Sequence, residues 1–255
     1  MKAPLGFRDR FSLFASTIDG SESIDGLLQN EAQRAAKKAD FFFEHRTIVC
    51  ELKNLETDTS VKVDKLLKPL ESRPEWPHFY GVLELSKILD RFLDGAEINR
   101  VVLDSLTSAV RKAIAEANRQ IRTTKQTFGI PNSGGMLVLA NESISVLSPE
   151  IIAFKVNQMI NKRTADGRPQ FPEINVVWMI SEKHVTEIRP GLTGIVCLLL
   201  RQEIPDPAGV EAFVESMQPR WASFHDVPYC TVSGATLSDV HFMNNPNLES
   251  AGSRR

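Results

Sequence analysis

Two apolar runs separated by four polar residues dominate the first third of the chain. Phe41, Phe42 and Phe43 form the first run, and Ile48, Val49, Cys50 and Leu52 the second, with Glu44-His45-Arg46-Thr47 between them. Aromatic and β-branched runs of this length read as strands, so the segment predicts a tight hairpin. Pairing Glu44 with Thr47 sets Phe43 opposite Ile48, Phe41 opposite Cys50, and Asp40 opposite Glu51. Alternate residues share a face. One face then carries Phe41, Phe43, Ile48, Cys50 and Leu52, a continuous core surface. The other carries Asp40, Phe42, Val49, Glu51 and Lys53. Opposed residues have Cβ atoms about 4.5–5.5 Å apart, and like charges there are destabilising. Two facing carboxylates beside an ammonium are a costly arrangement unless a divalent cation relieves the repulsion. Magnesium, which takes one or two carboxylates together with waters and substrate phosphate, suits that place. A three-residue turn would instead put Asp40 and Glu51 on opposite faces. The Glu51–Lys53 pair would then be a solvated salt bridge.

The pattern Ala39-Asp40, ten residues, then Glu51-Leu52-Lys53 at the end of an apolar strand resembles the PD-(D/E)XK nucleases, the restriction-endonuclease-like superfamily. Glu51-Leu52-Lys53 is the only acid-any-lysine triplet in the chain. The resemblance covers residues 24–54 and extends to about residue 140. It implies an α/β fold with a restriction-endonuclease-like core, a central mixed sheet flanked by helices. It also implies a magnesium-dependent nuclease, with manganese able to substitute. Asp40 and Glu51 would be metal ligands, the Leu52 carbonyl a third, and Lys53 the residue that positions the attacking water. Glu31, on an expected helix over residues 24–38 capped by Ser23, would be the additional acid that many members carry. Ala39 stands where the family often has proline. No strand is evident between that helix and Asp40, although the usual core has one. Some members carry a glutamine-and-tyrosine motif on the next long helix; Gln120 and Gln126 are present, but no tyrosine follows either at that spacing. The implied substrate is nucleic acid, DNA ahead of RNA, and a homodimer would pair two active sites for double-strand cutting. The rival expectation is a non-catalytic protein- or DNA-binding module on the same fold.

The long helix expected over about 103–126 gathers Leu106, Val110, Ile114, Ala117 and Ile121 on one face at 100° intervals. Arg111, Lys112, Arg119, Arg122 and Gln126 fall on the opposite side. Beside active-site strands, Lys112, Arg119, Arg122 and Gln126 become candidate phosphate contacts, the kind that dominates nucleic-acid affinity. A solvated face is the plainer alternative. Net charge of −2 and a pI near 6.2 leave no strongly basic coat, so any phosphate surface must be local.

Other chemistries find little support. Gly129 through Gly135 runs from helix to strand, the reverse of a phosphate-binding P-loop, and reads as a helix stop. Five scattered histidines and three cysteines lack zinc-ligand or disulfide spacing. No serine sits in a nucleophile elbow. The amino terminus lacks a signal-peptide run, and the longest apolar run, Ile195–Leu200, is too short to span a bilayer. The expectation is a soluble, cytoplasmic protein without a membrane partner.

The expected organisation is a nuclease core over residues 1–140 with a helical insertion at about 57–100. Residues 141–245 would extend the same domain and its sheet, and 246–255 would form a flexible tail. In the extension, Ser148-Pro149 opens a helix. Val176–Ile180 and Gly194–Leu200 read as buried strands, and Pro207 through Met217 as a short helix.

Overall fold

A computed structural model describes residues 5–28, 37–56, 60–77, 85–231 and 240–245. The chain divides into two compact units, Met1–Glu56 with Val110–Arg255, and Thr57–Ala109. In chain order the helices are α1 (Phe7–Ser16), α2 (Ser60–Leu67), α3 (Leu85–Leu89), α4 (Gly95–Leu106), α5 (Ser108–Phe128), α6 (Pro149–Ile160) and α7 (Val210–Phe224). The strands are β1 (Glu22–Ser23), β2 (Phe41–Phe43), β3 (Ile48–Asn54), β4 (Gly134–Asn141), β5 (Val176–Arg189), β6 (Leu192–Arg201) and β7 (Phe242–Asn244).

The larger unit is α/β, built on a seven-stranded mixed sheet in the order β1-β2-β3-β4-β5-β6, with β7 also paired to β5. β1–β2 and β2–β3 are antiparallel, β3–β4 and β4–β5 parallel, and β5 pairs antiparallel with β6 and β7. The second half of the chain therefore continues the sheet begun by the hairpin. Strands buried on both faces carry near-continuous apolar sequence. β4 is buried at all eight positions.

The hairpin has the expected register: Phe41 faces Cys50, Phe42 faces Val49, and Phe43 faces Ile48. Thr47 donates its N–H to the Glu44 carbonyl at 3.1 Å, closing a two-residue turn over His45 and Arg46. A type I′ turn needs positive φ at both central residues. His45 (φ 52°) and Arg46 (φ 73°) supply it without glycine, and Glu44 (φ 48°) joins them. Neighbours offset that strain. His45 donates its N–H to the Gly20 carbonyl, and Arg46 grips Glu22 with two hydrogen bonds of 2.8 and 2.7 Å.

On one sheet face, Phe41, Phe43, Ile48, Cys50 and Leu52 pack with Phe7, Phe11 and Phe14 of α1 and Val214, Met217 and Trp221 of α7. α5 covers the other face. Its Val110, Ile114, Ala117 and Ile121 are fully buried, and Phe128 meets Phe42 edge-on at 5.0 Å. Gly135 lets the chain close up here: a Cβ would sit 1.7 Å from the Glu173 carbonyl oxygen and 3.2 Å from Ile121. In the smaller unit, Leu70, Ile88, Leu89 and Phe92 form a separate cluster with Trp76 against it.

Several elements differ from expectation. Ser23 is not a helix cap but the end of β1, paired with Phe41, and the Ile24 N–H extends that pairing to the Asp40 carbonyl. The described residues that follow it, up to Leu28, carry the short 3₁₀ turn Asp25–Leu27. Residues 29–36 of the expected helix, Glu31 among them, lie outside the described residues, as does the tail from 246. The single long helix is two, α4 and α5, separated at Thr107. The Thr107 N–H and hydroxyl both turn back to the Leu103 carbonyl, a local side-chain bond that competes with helix continuation. α7 runs on past Met217 and through Pro219 to Phe224, where Trp221 reaches the aromatic core. α1 was not expected at all.

Candidate active site

Asp40 stands in the bend that leads into β2, and its side chain carries on the ladder. The Asp40 N–H donates to the Cys50 carbonyl at 3.0 Å, and its Oδ2 accepts the Leu52 N–H at 2.8 Å. The carboxylate is thus fixed against the edge of β3. Glu51, on the α5 side of the sheet, is 1% exposed. Its Oε1 lies 2.8 Å from the Lys53 ammonium, while Oε2 is buried without a hydrogen-bond partner.

Lys53 is positioned by α5. Its Nζ donates to Gln120 Oε1 at 2.6 Å and lies 3.7 Å from Glu116 Oε2. Gln120 is itself oriented, because its Nε2 donates to the Lys38 carbonyl at 2.9 Å. One turn on, the Thr124 hydroxyl accepts the Ala39 N–H at 2.8 Å. Residues 116, 120 and 124 occupy one ridge of the helix. That ridge holds Lys53 and the segment leading to Asp40 together.

A second cation comes from α1. Arg8 Nη1 sits 2.7 Å from Asp40 Oδ1, and Nη2 donates to the Leu52 carbonyl at 3.4 Å. α1 is anchored through Arg10, which takes both oxygens of Glu182 at 2.7 and 2.6 Å. Arg10 also reaches Glu142, which accepts the Phe7 N–H at the start of α1 and the Asn54 amide.

The electrostatics follow from this geometry. Burial, and then the charge of Asp40, raise the Glu51 pKa from 4.5 to about 8, and Lys53 and Arg8 offset only part of that. Burial also pushes the Cys50 thiol well above its ordinary range, consistent with an inert core thiol.

Among the described residues, no group of three or more His, Cys, Asp or Glu gathers as a metal cluster. The candidate donors are therefore Asp40, Glu51 and the Leu52 carbonyl, all oxygen and suited to a hard cation. The lone Oε2 of Glu51 fits such a role. A buried polar atom without a partner calls for an explanation, and a cation there would supply one.

The four candidate phosphate contacts do not converge. Lys112 Nζ is 4.0 Å from Glu116 Oε1, one turn along the ridge that reaches Lys53. Arg122 is bound to Glu173 at 3.3 Å, and Arg119 and Gln126 are exposed on the outer side of α5. Sequence reasoning did not assign site roles to Arg8, Glu116, Gln120 or Thr124. The spacing of the last three was a usable signal, because polar residues recur every fourth position beside an otherwise apolar face. Arg8 gave none.

Comparison of the chain with protein-family models, with curated proteins and with solved structures gives no match. Among the described residues, no helix is long and apolar enough to cross a membrane.

Proposed function

We propose that the chain is a magnesium-dependent nuclease of the PD-(D/E)XK type, hydrolysing phosphodiester bonds in nucleic acid, DNA ahead of RNA, on a restriction-endonuclease-like core. The observation that carries this is the buried, unpartnered Oε2 of Glu51, set beside Asp40 and a lysine held by two close oxygens, with the Glu116 carboxylate at 3.7 Å. Asp40, Glu51 and the Leu52 carbonyl would hold the ion, magnesium or manganese in its place. When bound, it supplies the positive charge that polarises a phosphate oxygen and lowers the pKa of bound water.

The remaining roles belong to the chain itself. Gln120 fixes the Lys53 ammonium so that it points into the site without losing geometry to solvent. Lys53 orients the attacking water and neutralises charge that develops on the phosphate. Lys112, on the same ridge as Gln120, is the best placed of the four candidate residues to meet the backbone of a bound strand.

A non-catalytic binding module has one specific observation in its favour. Arg8 and Lys53 already pair with Asp40 and Glu51, so each acid has a protein cation beside it. Cleavage separates the two readings. Plasmid DNA, single-stranded DNA and RNA are incubated with magnesium and the wild type, Glu51→Gln or Lys53→Met, with EDTA as control. Cleavage by the wild type that both substitutions and EDTA abolish supports the nuclease. Binding without cleavage, unchanged by the substitutions, supports the module.

A further inference from the structure

The guanidinium on Asp40 comes from outside the hairpin and occupies the oxygens that the site would offer to a metal. Arg8 takes Asp40 Oδ1 at 2.7 Å and the Leu52 carbonyl at 3.4 Å. These are two of the three proposed ligand groups. A guanidinium on these oxygens competes with a divalent ion for their lone pairs, and the two cations repel. We infer that Arg8 is the resident cation of this site, an internal competitor that a divalent ion must displace before Asp40 and Glu51 can hold it together. The inference rests on the metal-binding reading above and adds its regulation.

Displacement is sterically open. The Arg8 side chain is 61% exposed, against 15% for Asp40, so it can swing into solvent without disturbing the core. Asp40 does not collapse when released, because its Oδ2 stays bound to the Leu52 N–H. α1 does not depend on Arg8 for docking. Phe7, Phe11 and Phe14 are buried in the main cluster, and Arg10 clamps the helix to Glu182 and Glu142. A residue needed only to seat α1 would duplicate those contacts. Arg8 instead ties metal occupancy to the position of one side chain on the first helix.

Direct titration with manganese, read by the electron paramagnetic resonance signal of the free ion at fixed pH and ionic strength, tests this without any substrate. Arg8→Gln is expected to tighten manganese binding by up to about fivefold, the upper end of what an exposed ion pair supplies. Arg8→Met, which keeps the aliphatic stem, should do the same and guards against a folding defect peculiar to one variant. Arg8→Lys should stay within about twofold of the wild type, because the competing charge remains. Arg168→Gln, in an exposed loop, controls for net charge and should change nothing. If the wild type binds manganese, Asp40→Asn and Glu51→Gln weaken it, and both neutral Arg8 variants bind no tighter, the inference is overturned and the metal site stands. If manganese does not bind the wild type at all, the metal-site reading fails and takes the inference with it.

Discussion

Glu51→Gln should change how stability depends on pH more than it changes stability itself. In the folded chain the Glu51 carboxyl ionises near pH 8 rather than 4.5, chiefly because it is buried and then because Asp40 stands beside it. Between those two values the folded protein keeps a proton that the unfolded chain has released. Stability must therefore fall as pH rises through that window, by about 1.4 kcal/mol per pH unit for one such group. From pH 5 to pH 8 the loss amounts to at most about 4 kcal/mol. Glutamine cannot ionise and removes that slope. It also leaves an amide group where Oε2 has no partner, a roughly constant cost of about 1–3 kcal/mol that displaces the curve without tilting it. Urea unfolding of both proteins at half-unit steps from pH 5 to pH 9, without divalent ions, measures the tilt. The wild-type curve should descend relative to the variant by several kcal/mol across the window. Parallel curves would mean that Glu51 titrates normally and would refute the electrostatic argument.

Gln120→Leu should leave manganese affinity near that of the wild type while lowering the cleavage rate by about tenfold to a hundredfold, since Lys53 loses its orienting acceptor; single-turnover assays beside manganese titrations separate the two. Gly135→Ala should destabilise the fold by about 1–3 kcal/mol, because the new Cβ meets the Glu173 carbonyl at 1.7 Å and backbone must move; denaturant midpoints give the value. His184 is buried, with Nδ1 against Ser181 and Nε2 against the Ser145 carbonyl, and burial lowers its pKa below 6.5. Stability should therefore drop as pH falls below about 6.5, where the unfolded chain binds the proton first. His184→Gln should flatten that acid arm in the same unfolding series.

The hairpin was legible because its two constraints are local. A four-residue gap leaves few turns, and the period of two then assigns every side chain to a face. Phe41 opposite Cys50 follows from counting. The buried stripe of α5 was legible for the analogous reason at a period of 3.6. The break at Thr107 was not, since Leu106 and Val110 keep helical spacing across it and the interruption is a side-chain bond to Leu103. α1 was less legible because Phe7, Phe11 and Phe14 share one short stretch with Arg8, Asp9 and Arg10, so its apolar stripe spans little more than two turns. β5 runs to Arg189, well past Ile180, because β6 and β7 pair with its polar second half. At the site, Asp40, Glu51 and Lys53 announced themselves by being charged in an apolar setting. Arg8 meets Asp40 only through the docking of a helix 32 residues away in sequence, which no local pattern encodes.

Manganese-soaked crystals and their anomalous scattering bear most directly on the claim that the two acids form a cation site. The expected result is a single strong peak in contact with Glu51 Oε2 and the Asp40 carboxylate, with the Arg8 guanidinium turned away from Asp40. A peak elsewhere, or none at saturating manganese with the Arg8–Asp40 and Lys53–Glu51 pairs intact, would contradict it.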